Sequence, residues 1–493
     1  MDGCGAAREV DAKMTKLFRS KESAKEYLQS QFGVDESFDV VIQNVYIQQL
    51  PALVVYISGL VQNEVIATML SNLQYSDAID TSVNDPQYFV THFNYHGLSE
   101  IDTKDALLLA ILSGRVVFIT EHGFVFGGEF RQYPGRNPDE PDNEKVIRGS
   151  RDGFAENIII NAALIRRRIR TPQLRMKLQQ ITTQSKMDVA ICYLNDVVNE
   201  KHLHWLEKRL SQIEHDGLTM ADKSLEEWIF MQKYHPVPFV RYSERPDIVA
   251  AHVLEGHIAI LVDTSPSVMI MPTTMFHLLM HAEEYRQAPL IGTVMRFLRY
   301  FAVIMSVFML PFWYLLATNE HHIPEKLKFV GVAEPSQVPL YLQLLIADVG
   351  VEFLRIAAIH TPTPLSTAMG LIAGVLIGQI AIDVGLFTGE AVLYVAIAAL
   401  FTFGIPNYEL SVSMKVFRHV ILLLTAIFAA DGFFIGTALV FMYIVSLKPM
   451  KTPYLWPLIP YFPTAFKRVF IRFPMADDAI RPFITKAKKR RRV

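Results

Sequence analysis

Residues 297–447 hold 6 Lys+Arg and 9 Asp+Glu in 151 positions, about half the charge density of the rest of the chain. So long a charge-poor stretch constrains the fold more than any other feature. A helix of about 20 apolar residues crosses the ~30 Å hydrocarbon layer of a bilayer. Four candidate spans fit: 300–319, which carries Trp313 and Tyr314; 365–382, with Gly370, Gly374 and Gly378 spaced by four; 391–408, stopped by Gly404 and Pro406; and 419–447, broken only by Asp431. The glycine stripe suits close helix–helix approach.

A fifth apolar segment, 339–359, contains Asp348, Glu352 and Arg355, which share one helical face by their i+4 and i+3 spacing. Ionisable groups at membrane depth are costly, at ~2.5–3.5 kcal/mol each on insertion scales, and survive by pairing or by facing water or protein. The segment reads either as an interfacial amphipathic helix or as the lining of a polar pathway. Glu352 and Arg355 can pair within the helix, which leaves Asp348 as the unbalanced charge. Gln379, Asp383 and Asp431 are further polar pathway candidates, with Asp431 the strongest because it is mid-segment; Asp383 also fits an interface. Pro362 and Pro364 prevent a continuous helix and mark a candidate hinge or a loop outside the bilayer.

Arg286, Arg296 and Arg299 precede the first span, and the chain ends Lys486-Ala-Lys-Lys-Arg-Arg-Arg-Val493. Basic flanks stay on the cytoplasmic side, so an even number of spans is expected, four if 339–359 does not cross. The tail also suits anionic lipid.

The rest of the chain is unlike this block. Residues 1–296 hold 29 Lys+Arg and 38 Asp+Glu, and residues 448–493 hold 12 and 2, so the net charge of −2 averages an acidic part, an apolar part and a basic tail. Cys4 and Cys192 make no disulfide framework, and the N-terminus has no apolar leader.

Strand-like alternation covers 39–49 and 53–61, and a helical pattern follows over 63–73. The unit recurs. Tyr56-Ile-Ser-Gly-Leu-Val61 matches Tyr193-Leu-Asn-Asp-Val-Val198, and the helix–Gly–hairpin pattern at Leu112-Ser-Gly-Arg-Val-Val-Phe-Ile119 matches Leu254-Glu-Gly-His-Ile-Ala-Ile-Leu261. The offsets, 137 and 142 residues, are similar, which points to an internal duplication. The expected fold is thus an α/β (α+β) duplicated two-lobe soluble N-terminal domain followed by an α-helical multi-span membrane bundle. Its parts are a variable segment 1–30, a first lobe 31–140, a linker helix and second lobe 141–296, the bundle 297–447 and a basic cytoplasmic tail 448–493. Arg166, Arg167, Arg168 and Arg170 on the linker helix suit a salt-bridged face, or else phosphate or a neighbouring subunit's acids.

The phosphate-loop, zinc-protease, hydrolase-elbow and CxxC motifs are absent, so neither catalysis nor ATP-driven pumping is indicated. His277 and His281, with Glu283 and Glu284, resemble half a metal site but lack a third ligand, and an amphipathic membrane-entry helix is the plainer reading. No metal, cofactor or nucleic-acid partner is expected.

The run Arg241-Tyr-Ser-Glu-Arg-Pro-Asp-Ile248, with His252-Val-Leu-Glu-Gly-His257, Asp263-Thr-Ser-Pro266 and Ala282-Glu-Glu-Tyr-Arg-Gln-Ala-Pro289, resembles the GerA family of spore germination proteins, A-subunit type. So do Lys145-Val-Ile-Arg-Gly149 with Gly153-Phe154, Ile359-His-Thr-Pro362 with Leu365-Ser-Thr367, Pro406-Asn-Tyr-Glu-Leu410 and Thr452-Pro-Tyr-Leu-Trp-Pro457. The resemblance covers about residues 35–465. It implies a multi-pass protein of the spore inner membrane, with the N-terminal domain and the tail in the cytosol or spore core. It implies ring-shaped homo-oligomers whose membrane helices pass ions, acting beside other germination proteins of that membrane. It transfers no catalytic residues. A membrane-anchored scaffold or signalling subunit is the rival expectation.

Overall fold

Val40–Ile47 (β1) and Leu50–Ile57 (β2) are rich in β-branched residues and pair antiparallel, Val40 opposite Ile57. Alternate side chains of β2 enter opposite cores: Leu53, Val55 and Ile57 one, Ala52 and Val54 the other. Val116–Thr120 (β4) divides the same way, and Val125–Gly128 (β5) and Ser99–Glu100 (β3) complete a sheet of order β1-β2-β4-β5-β3. Full burial of each such aliphatic contributes about 1.5–3 kcal/mol.

The computed structural model describes residues 16–47, 50–75, 98–132, 144, 148–232, 234–319, 330–333, 336–360, 378–474 and 480–491. The chain divides into two units: Met1–Met231 with Tyr242–Pro272 and Ala479–Val493, and Gln232–Arg241 with Thr273–Asp478. The expected basic tail 448–493 is therefore split between the two.

A second sheet is built from β6 (Leu174–Ile181), β7 (Met187–Leu194), β8 (Arg241–Ser243), β9 (Ile258–Val262) and β10 (Val268–Met271), in the order β6-β7-β9-β10-β8. Its topology repeats the first. The register repeats too: Val55 faces Val117 across β2 and β4, and Cys192, 137 residues on, faces Ala259, 142 residues on, across β7 and β9. These are the offsets read from the sequence.

Helix α1 (Lys21–Phe32) opens on a Ser20 capping box and ends at Gly33, whose φ of 55° is cheap only for glycine. Its Ala24, Leu28 and Phe32 lie one turn apart in the core of the first lobe, so residues 21–30 of the segment set aside as variable belong to that lobe. Helices α2 (Asn63–Tyr75) and α3 (Lys104–Leu112) flank the first sheet. Helix α4 (Ile158–Arg168) is capped by Asn157 and packs Ala163 into the first lobe's core. It passes so close to Gly59 that an added Cβ there would meet the Ala163 Cβ at 3.0 Å. The second lobe carries α5 (Glu200–Leu210), α6 (Ala221–Phe230) and α7 (Pro246–Leu254).

On α5, burial first and Lys486 second push the His202 pKa down to about 4 from 6.5. The folded state then resists a proton that the unfolded state accepts below pH 6.5. Stability is therefore unaffected above pH 6.5 and falls as pH drops from 6.5 towards 4, by about 3 kcal/mol at full depth. Thermal unfolding followed by circular dichroism is expected to show this slope, and His202→Asn to flatten it.

The other unit is helical. Short helices α8 (Met275–Leu278) and α9 (Ala282–Arg286) precede α10 (Pro289–Thr318), about 45 Å long. Then come α11 (Leu340–His360), α12 (Gly378–Asp383), α13 (Gly389–Phe403), α14 (Tyr408–Ser446) and α15 (Pro463–Phe470). Leu310, Trp313, Leu344, Ala391, Val395, Ala398 and Leu422 form a shared core, and Trp313 stacks on Tyr394 with centroids 4.4 Å apart. The candidate spans 300–319 and 391–408 lie largely within α10 and α13. Most of 365–382 lies outside the described residues, as do Pro362 and Pro364.

The last candidate span differs from its expected form. Helix α14 begins eleven residues earlier and is broken at Ala429, at φ 51° and ψ −128°. The Phe417 and Tyr443 rings are 5.9 Å apart, and an ideal Cβ on Gly436 would lie 3.1 Å from the Ile421 Cα. A straight helix would separate Phe417 from Tyr443 by about 39 Å. The element is a hairpin of two antiparallel arms, and its glycines let the arms touch. Ala429 holds the backbone of the first central residue of a type II′ turn, a glycine position. Ala429→Gly is accordingly expected to raise stability by about 1 kcal/mol and Ala429→Val to lower it, as measured by thermal denaturation in detergent.

Candidate functional site

The i+4 and i+3 spacing of Asp348, Glu352 and Arg355 places all three on one face of α11, against the first arm of α14. That arm presents Lys415 with Arg418 three and His419 four residues on, all on one face. Nη2 of Arg418 donates to both oxygens of Asp348, at 2.7 and 2.6 Å, with both side chains fully buried. Lys415 Nζ lies 3.5 Å from the same carboxylate and His419 Nε2 3.1 Å from it. Lys415 also holds Glu352 at 2.8 Å, and Glu352 pairs with Arg355. Arg355 donates to Ser411 Oγ at 2.9 Å and lies over the Tyr408 ring at 4.6 Å. Arg418 reaches the Ser306 carbonyl at 3.0 Å and Thr402 Oγ1 at 3.4 Å, so one guanidinium ties α10, α11, α13 and α14 together.

Depth along the helices matters. Asp348 stands eight residues from the start of α11 and twelve from its end, about 12 and 18 Å. Arg418 is about 15 Å from each end of its arm. The network thus sits at mid-length of apolar helices.

One sequence expectation changes here. Asp348 is not the unbalanced charge but the most completely paired one: in the cluster two carboxylates face three fixed cations and a histidine. Sequence reasoning did not single out Lys415, Arg418 or His419. The signal that would have found them is that Arg418 and His419, three and four residues past Lys415, share a helical face with it, as 348, 352 and 355 share theirs.

The remaining candidates lie apart. Gln379 Nε2 donates to Asp383 at 3.0 Å in an exposed pair on α12. Asp431 is exposed, two residues past the Ala429 reversal. His277 lies on α8 and His281 between α8 and α9: His277 meets Thr274 Oγ1 at 2.8 Å and His281 caps α9. Burial, then Arg241, pushes the His277 pKa down to about 3. Among the described residues no cluster of metal-ligand type occurs. Glu284, fully buried, accepts from Arg296 at 2.6 Å and pairs with Arg299.

In the other unit, the arginine-rich helix proves salt-bridged. Arg166 makes two 2.8 Å bonds to Asp39, just before β1, and a 3.0 Å bond to the Leu174 carbonyl of β6, so it joins the two lobes. Arg168 pairs with Asp152. Arg245 forks onto Asp247 and holds the Ser150 carbonyl at 3.0 Å.

The architecture is thus that of a chain with two like antiparallel lobes and a helical region, in which α10 and α14 are long and apolar enough to cross a membrane. The profile described as Bacillus/Clostridium GerA spore germination protein matches residues 26–484, and the chain belongs to that family. It is 45% identical to stage V sporulation protein AF of Bacillus subtilis (strain 168) over 97% of each chain. It is 28% identical to spore germination protein KA of the same organism, over 94% of this chain and 86% of that one. A crystal structure of the N-terminal domain of the A subunit of the Bacillus megaterium spore germinant receptor GerK3 matches at TM-score 0.40 and 28% identity, covering 52% of this chain and 97% of that one.

Proposed function

We propose that this spore germination family member is a multi-pass subunit of the spore inner membrane, that its copies assemble as a ring, and that the ring passes ions out of the core during germination beside other germination proteins. The carrying observation is the charged network at mid-length of apolar helices. Glu352, Arg355 and His419 keep 22%, 13% and 28% of their side-chain surface open. Charge at hydrocarbon depth faces water or protein rather than lipid. Asp348 and Arg418 then act as the fixed strut of the pathway, Glu352 and Arg355 as its lining, Gln379 and Asp383 as further polar wall, and Asp431 as a mouth residue at the hairpin apex. Pro362 and Pro364 are its candidate hinge.

The crossings in this reading are α10, α11, the glycine-spaced segment 365–382, α13 and the two arms of α14. That number is even, as the basic flanks require.

Ion flux through proteoliposomes tests the pathway. Glu352→Gln and Asp383→Asn are expected to change the cation-to-anion permeability ratio several-fold. Unchanged rate and ratio in both would remove the lining assignment. The rival scaffold reading draws on the two like lobes. It predicts that the soluble unit on an unrelated anchor restores germination, which a conducting role forbids.

A further inference from the structure

The two lobes share more than their sheets. In the first, the segment after β5 lies back along the end of β2: Gln132 N–H donates to the Leu60 carbonyl at 2.9 Å, Gln62 N–H donates to the Phe130 carbonyl at 3.1 Å, and Val61 bridges Arg131. Gly114, at φ 86°, leaves room for that segment; a Cβ there would meet Leu60 and Arg131. Moving by the lobe offsets takes Leu60, Val61 and Gln62 to Val197, Val198 and Asn199, and Gly114 to Gly256.

At that second position the occupant comes from the far end of the chain. Lys488 N–H donates to the Val197 carbonyl at 2.9 Å, and Asn199 Nδ2 donates to the Lys486 carbonyl at 3.2 Å. Gly256, at φ 96°, would meet Val197, Ala487 and Thr485 if it carried a Cβ. Phe130, Arg131 and Gln132 are thus replaced in place by Lys486, Ala487 and Lys488. Thr485 Oγ1 donates to the Glu255 carbonyl at 3.0 Å, and Lys488 and Lys489 pair with Glu200 and Asp196, each at 2.8 Å. Ile484, Thr485 and Ala487 are buried while the lysines stay exposed.

We propose that each lobe carries a segment-docking groove, and that the second lobe's groove is a peptide-binding site whose occupant is the C-terminal tail of the same chain, 480–491. The first lobe fills its groove with residues that follow directly on its sheet. The second waits for a segment made only after the whole helical region. Its ligand is a short basic peptide that turns at Phe483–Thr485, closes through an Ile480–Arg491 bridge and lays Lys486–Lys488 along Val197–Asn199 with a small residue over Gly256, recognised by one backbone hydrogen bond, at Lys488, and by side-chain bonds to the carbonyls of Lys486 and Glu255. Lys488 and Lys489, which composition alone would commit to lipid, are held by acids of this groove.

The test uses the full chain purified in detergent after deletion of residues 480–493, with a fluorescent peptide of that segment as probe. The deleted protein is expected to bind the peptide at least tenfold tighter than the intact protein. N-methylation at the Lys488 amide, which keeps every charge but removes the donor to Val197, is expected to weaken binding at least tenfold. Equal binding of a scrambled peptide, or equal binding to the intact protein, overturns the proposal. Should the deleted protein not fold, Ala487→Trp in the full chain serves instead. The indole does not fit over Gly256, so trypsin is expected to cut the tail at least tenfold faster while the lobes stay intact. A parent tail cut as fast as the variant's overturns the proposal.

Discussion

Asp348→Asn is expected to prevent accumulation of folded protein. The substitution leaves Arg418 fully buried without its carboxylate, and breaking a buried ion pair from one side costs about 3–5 kcal/mol. Arg418→Met alone is expected to do the same from the other side. The informative case is the pair. Asp348→Leu with Arg418→Met removes both charges and fills similar volume, a change that is often neutral or stabilising by ~1–4 kcal/mol. Thermal aggregation of the detergent-solubilised protein is expected to rank the double variant near the parent and both single variants far below it. If the double variant also passes ions at the parent's rate, the strut role of this pair is separate from conduction by Glu352 and Arg355. A stable, well-expressed Asp348→Asn protein would contradict the buried clamp.

The second large effect is expected at Arg166. Its guanidinium serves Asp39 through two bonds and the Leu174 carbonyl through a third, with exposures of 0% and 1% for the two side chains. Arg166→Ala strands a carboxylate in the seam between lobes and is expected to cost about 3–5 kcal/mol. Arg166→Lys is not a rescue, because an ammonium is a point charge that cannot reproduce the planar fork. The measurement is thermal unfolding followed by circular dichroism, repeated at low and high salt. A buried pair is screened little, so the loss is expected to be the same at both. A salt-dependent loss would place the pair at the surface.

These two clusters show where reading a sequence stops. The first two strands, the duplication and its offsets of 137 and 142 were legible, because period-two alternation and repeated glycine turns are local signals; the pairing of Val55 with Val117 and of Cys192 with Ala259 came from sheet assembly and repeats those offsets. The face shared by Asp348, Glu352 and Arg355 was legible for the same reason. Their partners were not. Lys415, Arg418 and His419 lie 60 or more residues away, and only packing of α11 against α14 decides that they meet. The same limit hid Asp39 from Arg166, 127 residues apart. The reversal at Ala429 was concealed differently: alanine is a strong helix former, and it takes the Ala429 backbone, the Phe417–Tyr443 ring contact and the approach of Gly432 and Gly436 to the opposite arm to show that the helix turns back.

The sequence by itself determined that this chain has two related α/β lobes and an apolar helical region with a few costly charges, and its motifs carried the resemblance to a germination family. The helical region and its charges follow from composition and local spacing, the duplication from a repeated pattern along the chain, and the family from the motifs alone. Tertiary structure alone decided that those charges compensate one another at mid-helix, that a 39-residue helix is a hairpin, and that the basic end lies in a groove of the second lobe. Such pairings are settled by which surfaces come within hydrogen-bond reach once the helices and sheets pack, and residues far apart in sequence carry no local trace of them.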